Sequence, residues 1–196
     1  EILEALVEYP RSDLHAQWST NEKVAVDVAI GASFSGVRAI SAMKHVGLNV
    51  AADALMSQTY IGVNGGLVLA VADDPGIHSS QNEQDTRLFA RFAQVPVLEP
   101  SDADEARIFT ALAFEISEQF DTPVILRSTT RLSHTRSTVT LGPRTERKDG
   151  KFIDDQVKNV IIPAHARQRH PLVLEREAAL EKYFDTSPLT RWEKGG

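Results

Sequence analysis

Three histidines lie in segments that we predict to be loops, where an imidazole can orient a substrate or exchange protons near neutral pH. They are His45, His78 and His134. No two of them have the i, i+4 spacing of a helical zinc site, no neighbouring carboxylate completes a metal set, and no serine stands in a Gly-x-Ser-x-Gly turn. The pattern predicts no metal site and gives little support to a hydrolase. Three exposed histidines without a function would fit it equally well.

Glu22 is a carboxylate with two possible roles. Ser19-Thr20-Asn21-Glu22 matches a capping box, in which the glutamate only returns to a backbone N–H at the start of a helix. Spacing alone favours that structural role, and residues 80–83 match the same box. The glycine-rich residues 62–66 lack the Gly-x-Gly-x-x-Gly order and precede a strand, so a dinucleotide site is not expected.

The composition and charge of the chain argue against several further classes of function. The 196 residues carry a formal net charge of −6, which disfavours nucleic acid because binding to the phosphate backbone depends on clustered Lys and Arg. No apolar run approaches the roughly 18 residues of a membrane span, and we expect a soluble, cytoplasmic protein. The chain has no cysteine, so disulfides, thiolate zinc sites and iron–sulfur ligands are excluded within it. Any electron carrier must be bound by another domain or subunit.

Apolar segments of strand and helix length alternate along the chain. This alternation predicts a mostly parallel sheet of about six strands with helices on both faces, and residues 67–72 as its central strand. Ligands of such folds bind at the carboxyl ends of the strands, here the loops 41–49, 73–82 and 128–137. The predicted strands are 15–18, 37–42, 67–72, 95–98, 124–127 and 157–162, and the predicted helices are an opening helix to about residue 7, then 22–33, 47–56, 82–93, 102–120 and 172–184.

The chain changes character after residue 138. Residues 142–151 are polar and charged like a linker. We therefore predict an α/β domain over residues 1–141, and a linker and tail over 142–196 that leads to a domain outside this chain. The sequence opens inside a predicted helix, so we also expect residues upstream of Glu1.

Several segments together resemble one enzyme family. The longest are 18–25 (WSTNEKVA), 43–53 (MKHVGLNVAAD) and 72–85 (ADDPGIHSSQNEQD), and residues 98–102, 127–134 and 187–189 also fit. They resemble the N-terminal part of the large subunit of the indolepyruvate ferredoxin oxidoreductases, which are thiamine-diphosphate-dependent 2-oxoacid oxidoreductases. The resemblance covers nearly the whole chain. It implies a three-layer pyrimidine-binding domain, one of two α/β domains between which thiamine diphosphate lies.

The resemblance also implies roles for individual residues. Glu22 matches the catalytic glutamate that faces the aminopyrimidine ring and activates its N1′ atom, and this family role outweighs the capping box. His45 and Asn49 are further candidates for cofactor binding. The substrate-side candidates are Lys44, His78, Ser79, Ser80 and Gln81.

Other motifs of the family have no match here. The sequence lacks the Gly-Thr-Pro loop near the substrate, the Gly-Asp-Gly and Asn-Asn motif that holds magnesium and the diphosphate, and any cysteine cluster. We therefore expect magnesium and iron–sulfur clusters in absent domains, and no cofactor on this chain alone.

The expected partners are a diphosphate-binding domain or subunit, a second oxidoreductase subunit, ferredoxin, coenzyme A, a 2-oxo acid and a second copy of the chain. Which 2-oxo acid is used stays open. A subunit of a non-oxidative thiamine-diphosphate decarboxylase, and a non-catalytic dimerisation domain of the same fold, are the alternatives.

Overall fold

The computed structural model describes residues 2–143, 149–189 and 195. Half of the predicted linker, residues 144–148, lies outside this part of the chain, as do residues 190–194 of the tail. The described elements are, in order, α1 (Ile2–Leu6), α2 (Glu22–Phe34), β1 (Ala39–Lys44), α3 (His45–Val50), α4 (Ala52–Ile61), β2 (Leu67–Asp73), α5 (Thr86–Ala93), β3 (Val97–Leu98), α6 (Ala103–Phe120), β4 (Val124–Thr129), α7 (Thr130–Ser133), α8 (Gln156–Asn159) and α9 (Pro163–Thr186).

The strands form one parallel sheet in the order β1-β2-β4-β3. Strand β2 lies between two neighbours, and its first five residues are buried. A continuous apolar run suits this position because helices cover both faces of the strand. The predicted parallel sheet, with 67–72 near its centre, is confirmed.

The prediction of about six strands is wrong, since four strands form among the described residues. Residues 15–18 are not paired with any strand, and Trp18 is 70% exposed. Residues 157–162 overlap the short helix α8, which begins after the capping side chain of Asp155, and Val160 is also exposed. Both segments have the apolar residues of a strand, but neither has a neighbouring strand to supply backbone partners.

Each face of the sheet has its own apolar core. On one face Leu69, Val71 and Ile125 pack with buried residues of α2 to α5. On the other face Val68, Val124 and Leu126 pack with buried residues of α6 and α9. Alternate residues of one strand point to opposite faces, so β2 contributes to both cores. The prediction of helices on both faces is confirmed.

Three predicted helices have different bounds in the structure. The predicted helix 47–56 is two helices, α3 and α4, which meet at the buried Ala51. The predicted helix 82–93 begins only at Thr86, because the Asp85 side chain accepts from the N–H of Arg87 and caps the helix there. The predicted helix 172–184 extends over Pro163–Thr186 and contains Pro171.

The last helix is fastened to α4 by a group of cations around Asp121. This carboxylate accepts from Lys158 Nζ at 2.8 Å and from an Arg169 Nη at 3.0 Å, while Arg176 donates to the carbonyl of Thr59 at 2.8 Å. The cations of the tail thereby satisfy carbonyls at the C-terminal end of α4, where a helix leaves its last carbonyls without partners. Residues 163–186 thus pack on the sheet domain, and the predicted boundary after residue 141 stays a prediction.

Candidate active site

Three strand ends lie side by side at the carboxyl edge of the sheet. Lys44 at the end of β1 is opposite Ala72, and Asp73 at the end of β2 is opposite Thr129 of β4. Because the strands are parallel, the segments that follow them leave the sheet at the same edge. This geometry brings the loops after β1, β2 and β4 together.

Glu22 is the first residue of α2 and is half-buried. The N-cap is Asn21, whose side chain accepts from the N–H of Val24 at 3.0 Å. The capping box with Ser19 at the cap is therefore wrong, because the helix begins two residues later than that box requires. No hydrogen bond or ion pair joins the Glu22 carboxylate to another described residue, which leaves it available to a ligand or a partner domain.

The Glu22 side chain lies against Gly47 of α3. A β-carbon added at Gly47 would be 2.5 Å from Glu22 Cγ and 2.9 Å from Oε1. Sequence reasoning missed Gly47, since nothing in the local pattern around a helical glycine shows what packs against it. The contact joins the start of α2 to the segment that follows β1.

His45 is the first residue of α3 and is only 2% exposed. Its Nε2 lies 3.0 Å from the carbonyl oxygen of Asn82, and a carbonyl only accepts, so Nε2 carries the proton. The other ring nitrogen, Nδ1, is buried and has no partner among the described residues. The ring thus ties α3 to the loop after β2 and retains one unused acceptor.

Asp74 organises the loop that carries His78 and Ser79. Its carboxylate accepts from the backbone N–H groups of Ser79 at 2.8 Å and His78 at 3.1 Å, and from Thr130 Oγ1 at 2.8 Å. The Ser79 N–H and then the Thr130 hydroxyl hold the pKa of Asp74 well below its ordinary value, because they stabilise the ionised form. Asp74 was not among the candidates predicted from the sequence, although two carboxylates directly after the predicted central strand were a usable signal.

The Asp73 side chain forms a hydrogen-bond network at the same edge of the sheet. It accepts from Arg127 Nε at 2.7 Å and from the N–H and hydroxyl of Thr86 at the start of α5. Arg127 also donates to Glu99. This network joins β2, β4 and α5 directly beneath the candidate site.

The structure brings some of the candidate residues predicted from the sequence into contact, but not all of them. Lys44 Nζ donates to the carbonyl of Ser79 at 3.2 Å, which links the ends of β1 and the 73–82 loop. Ser80 is half-buried, whereas Asn49 and His134 are exposed and make no side-chain hydrogen bond to another described residue. The remaining loop candidates, His78, Ser79 and Gln81, are also exposed.

A pocket of about 320 Å³ opens beside the site, between α3 and α5. His45 is the one predicted candidate that lines it, together with Leu48, Gln84, Asp85, Thr86, Leu88 and Phe89. The roles that the resemblance implies for Glu22, Lys44, His45, Asn49 and residues 78–81 therefore stay predictions.

The described residues contain no group of three or more His, Asp or Glu side chains that could hold a metal ion. None of the helices in the described ranges is long and apolar enough to cross a membrane.

A family model matches nearly the whole chain. The model described as "Pyruvate flavodoxin/ferredoxin oxidoreductase, thiamine diP-bdg" covers residues 3–188. The chain belongs to this family. Its Glu22, Gly47 and Asp74 are therefore residues of a thiamine-diphosphate-binding domain family, and the resemblance seen in the sequence is confirmed.

Members of the family with indolepyruvate in their names are close in sequence. The chain is 51% identical over 191 residues to "Indolepyruvate oxidoreductase subunit IorA" of Thermococcus kodakarensis, an alignment that covers 94% of this chain and 29% of the relative. It is 47% identical over 187 residues to the protein of the same name from Archaeoglobus fulgidus, with 94% and 30% covered. The chain thus spans about three tenths of the length of these curated relatives.

A solved member of the wider group of 2-oxoacid oxidoreductases has the same fold. The 2-oxoglutarate:ferredoxin oxidoreductase of Magnetococcus marinus superposes with a TM-score of 0.63 at 14% identity. The match covers 89% of this chain and 38% of that chain. At this identity the similarity establishes the fold alone.

Proposed function

We propose that this chain is the pyrimidine-binding part of a thiamine-diphosphate-dependent indolepyruvate ferredoxin oxidoreductase. The complete enzyme would convert an aryl 2-oxo acid to its acyl-CoA by oxidative decarboxylation, with ferredoxin as the electron acceptor. The observation that carries the proposal is the Glu22 carboxylate, which is half-buried and has no partner among the described residues. The similarity to indolepyruvate oxidoreductase subunits supports the choice of substrate.

The residues at the candidate site fit the pyrimidine end of the cofactor. An aminopyrimidine ring offers nitrogen donors and acceptors, and the site offers the free carboxylate of Glu22 beside the short helix α3. When bound, thiamine diphosphate supplies the electron sink that decarboxylation of a 2-oxo acid requires. Glu22 would hold a proton at ring atom N1′, and His45 and Asn49 would bind the same ring from α3.

The opposite side of the site would face the 2-oxo acid. Lys44 brings a positive charge to the edge where the loop residues His78, Ser79, Ser80 and Gln81 follow β2. A cation suits the carboxylate that every 2-oxo acid carries. Asp74 would keep these residues in place through its bonds to the backbone of His78 and Ser79.

The other parts of the enzyme would come from partners. A diphosphate-binding domain or subunit would hold the magnesium ion and the diphosphate, and a second subunit and iron–sulfur clusters would carry electrons to ferredoxin. Coenzyme A would take the acyl group. We propose a cytoplasmic enzyme, because these soluble carriers are its substrates.

We also propose that two copies of the chain associate through the face formed by α2 and residues 44–53. That face exposes Val24, Val28 and Val50, each between 39% and 55% accessible. Val24 and Val28 are one turn apart on α2, and exposed apolar residues on one helix face favour burial against another protein surface.

The test is the substitution Glu22→Gln in the assembled enzyme. The amide cannot exchange a proton with N1′, so kcat for an aryl 2-oxo acid should fall at least 100-fold, within the usual range for a lost acid–base group of about 10²–10⁴. Glu115→Gln, an exposed residue of α6, is the control and should retain full activity. Equal turnover by the Glu22→Gln and unmodified enzymes would refute the proposed role of Glu22.

A further inference from the structure

Gly47 occupies a position where no side chain is possible while Glu22 keeps its conformation. A β-carbon there would lie 2.5 Å from Glu22 Cγ, 2.9 Å from Cδ and 2.9 Å from Oε1. Atoms in proteins do not approach this closely without a bond, since optimal carbon contacts are roughly 3.5–4.0 Å. The missing side chain of Gly47 therefore provides the space that the carboxylate occupies.

The backbone does not require a glycine at this position. Gly47 lies within helix α3, and its φ is not in the left-handed region where glycine is favoured. In a helix, alanine is more favourable than glycine. Conformational preference thus argues for alanine at residue 47, and the contact with Glu22 argues against it.

The Glu22 backbone is held while its side chain can rotate. Asn21 caps the helix, and Val26 and Ala29 of the same helix are buried in the cores. An added methyl group at residue 47 would therefore displace the Glu22 side chain and leave α2 in place. The displaced atoms include the carboxylate carbon and one carboxylate oxygen.

We propose that Gly47 is a positioning residue that holds the Glu22 carboxylate in the conformation required by the cofactor. The proposal rests on the proposed function of Glu22. Gly47 touches neither cofactor nor substrate in this role. It acts by leaving open the volume that the carboxylate occupies beside α3.

The experiment compares Gly47→Ala, Glu22→Gln and the double variant in the assembled enzyme. Two measurements are made: kcat for an aryl 2-oxo acid, and the rate at which the C2 proton of bound thiamine diphosphate exchanges for deuterium without substrate. Gly47→Ala should slow both at least tenfold, because a displacement of about 1 Å in a catalytic group can cost up to 100-fold. The melting temperature should be unchanged or higher, and a crystal structure should show a rotated Glu22.

The double variant isolates the route by which Gly47 acts. If Gly47 acts only through Glu22, the double variant should be no slower than Glu22→Gln alone. Gly142→Ala is the control, because a β-carbon there meets only Arg107 Nη1 at 3.4 Å, and it should change neither rate.

The outcomes separate this proposal from the proposed function. If Glu22→Gln leaves proton exchange unchanged, the proposed function fails. If Glu22→Gln slows exchange and Gly47→Ala does not, the positioning role alone is overturned. A Gly47→Ala variant with a lower melting temperature, or a double variant slower than Glu22→Gln, would assign Gly47 to packing and also overturn it.

Discussion

Asp73 and Arg127 form a buried ion pair across the two central strands of the sheet. Arg127 Nε donates to Asp73 Oδ2 at 2.7 Å, and the two side chains are 4% and 1% exposed. Asp73 lies at the carboxyl end of β2, and its other contacts hold Thr86 at the start of α5. The pair joins β2 and β4 next to the candidate site. Its loss should therefore lower the free energy of unfolding and disturb the loops that follow these strands.

The substitution Asp73→Leu should destabilise the fold by about 3 kcal/mol or more, because the buried Arg127 keeps its bond to Glu99 but loses its ion pair with Asp73. Urea unfolding followed by circular dichroism gives the free energy of unfolding. The variant Asp73→Leu with Arg127→Leu removes both charges and should be more stable than Asp73→Leu alone. If the double variant is less stable than Asp73→Leu, the destabilisation by Asp73→Leu does not come from an uncompensated charge on Arg127.

Asp74 should stabilise the fold in a pH-dependent way. The pKa of Asp74 in the folded state is below its ordinary value of 3.8, so the folded protein binds the proton less readily than the unfolded chain. The stabilisation is complete above pH 3.8 and is lost as the pH falls below it through the folded-state pKa. The stability lost on Asp74→Asn should therefore be constant above about pH 5 and shrink toward pH 2.

The measurement for Asp74 is urea unfolding of both proteins from pH 7 to pH 2. Asp185→Asn is the matched control, since Asp185 is exposed on α9 and lies outside the proposed interface. Its effect on the free energy of unfolding should be small at every pH. A difference between wild type and Asp74→Asn that does not change with pH would contradict the assignment of the loop bonds to the ionised carboxylate.

The proposed interface of α2 can be tested with Val28→Glu. A carboxylate in the centre of an apolar contact loses its hydration without gaining a partner, so the dimer should dissociate more readily. We expect the dimer dissociation constant to rise at least tenfold, measured by light scattering or sedimentation over a dilution series. Leu174→Glu on α9, where the wild-type residue is 48% exposed, is the control and should not change it. A wild-type chain that is monomeric at all concentrations would contradict the interface.

Thiamine diphosphate should bind weakly to this chain alone. The chain offers Glu22 and α3 for the pyrimidine, but its sequence lacks the motif that would hold magnesium and the diphosphate. Titration calorimetry with thiamine diphosphate and magnesium should give a millimolar dissociation constant at best, on the order of 4 kcal/mol. Micromolar affinity would show that the chain itself contains a diphosphate site.

The strongest elements of the fold could be predicted from local sequence. The short apolar run Leu67 to Ala72 is typical of a strand covered on both faces, and Asp102 before a long amphipathic segment predicts the start of α6. Local sequence was not sufficient to predict the conformation of Val160, Ile161 and Ile162. Three consecutive β-branched residues favour a strand, but a strand also requires a neighbour, and that depends on tertiary structure.

The candidate site was predictable in part. The sequence predicted the segments around His45 and residues 73–82 at the carboxyl edge of the sheet, and in the structure they follow the parallel strands β1 and β2 there. The roles of Asp74 and Gly47 were not predictable in this way. Asp74 acts on residues in its own loop and on Thr130, and Gly47 acts on a side chain 25 positions earlier in the chain, so both relationships exist only after folding.

The attachment of α9 has a consequence for synthesis on the ribosome. Arg176 reaches back 117 residues to Thr59, and Leu180 completes the core beneath Leu126. Translation proceeds at roughly 5–20 residues per second, so about 3 to 11 seconds pass between Leu126 and Leu180. For those seconds the nascent chain lacks the apolar cover that α9 gives to Val68, Val124 and Leu126, and exposed apolar surface of this kind favours chaperone binding.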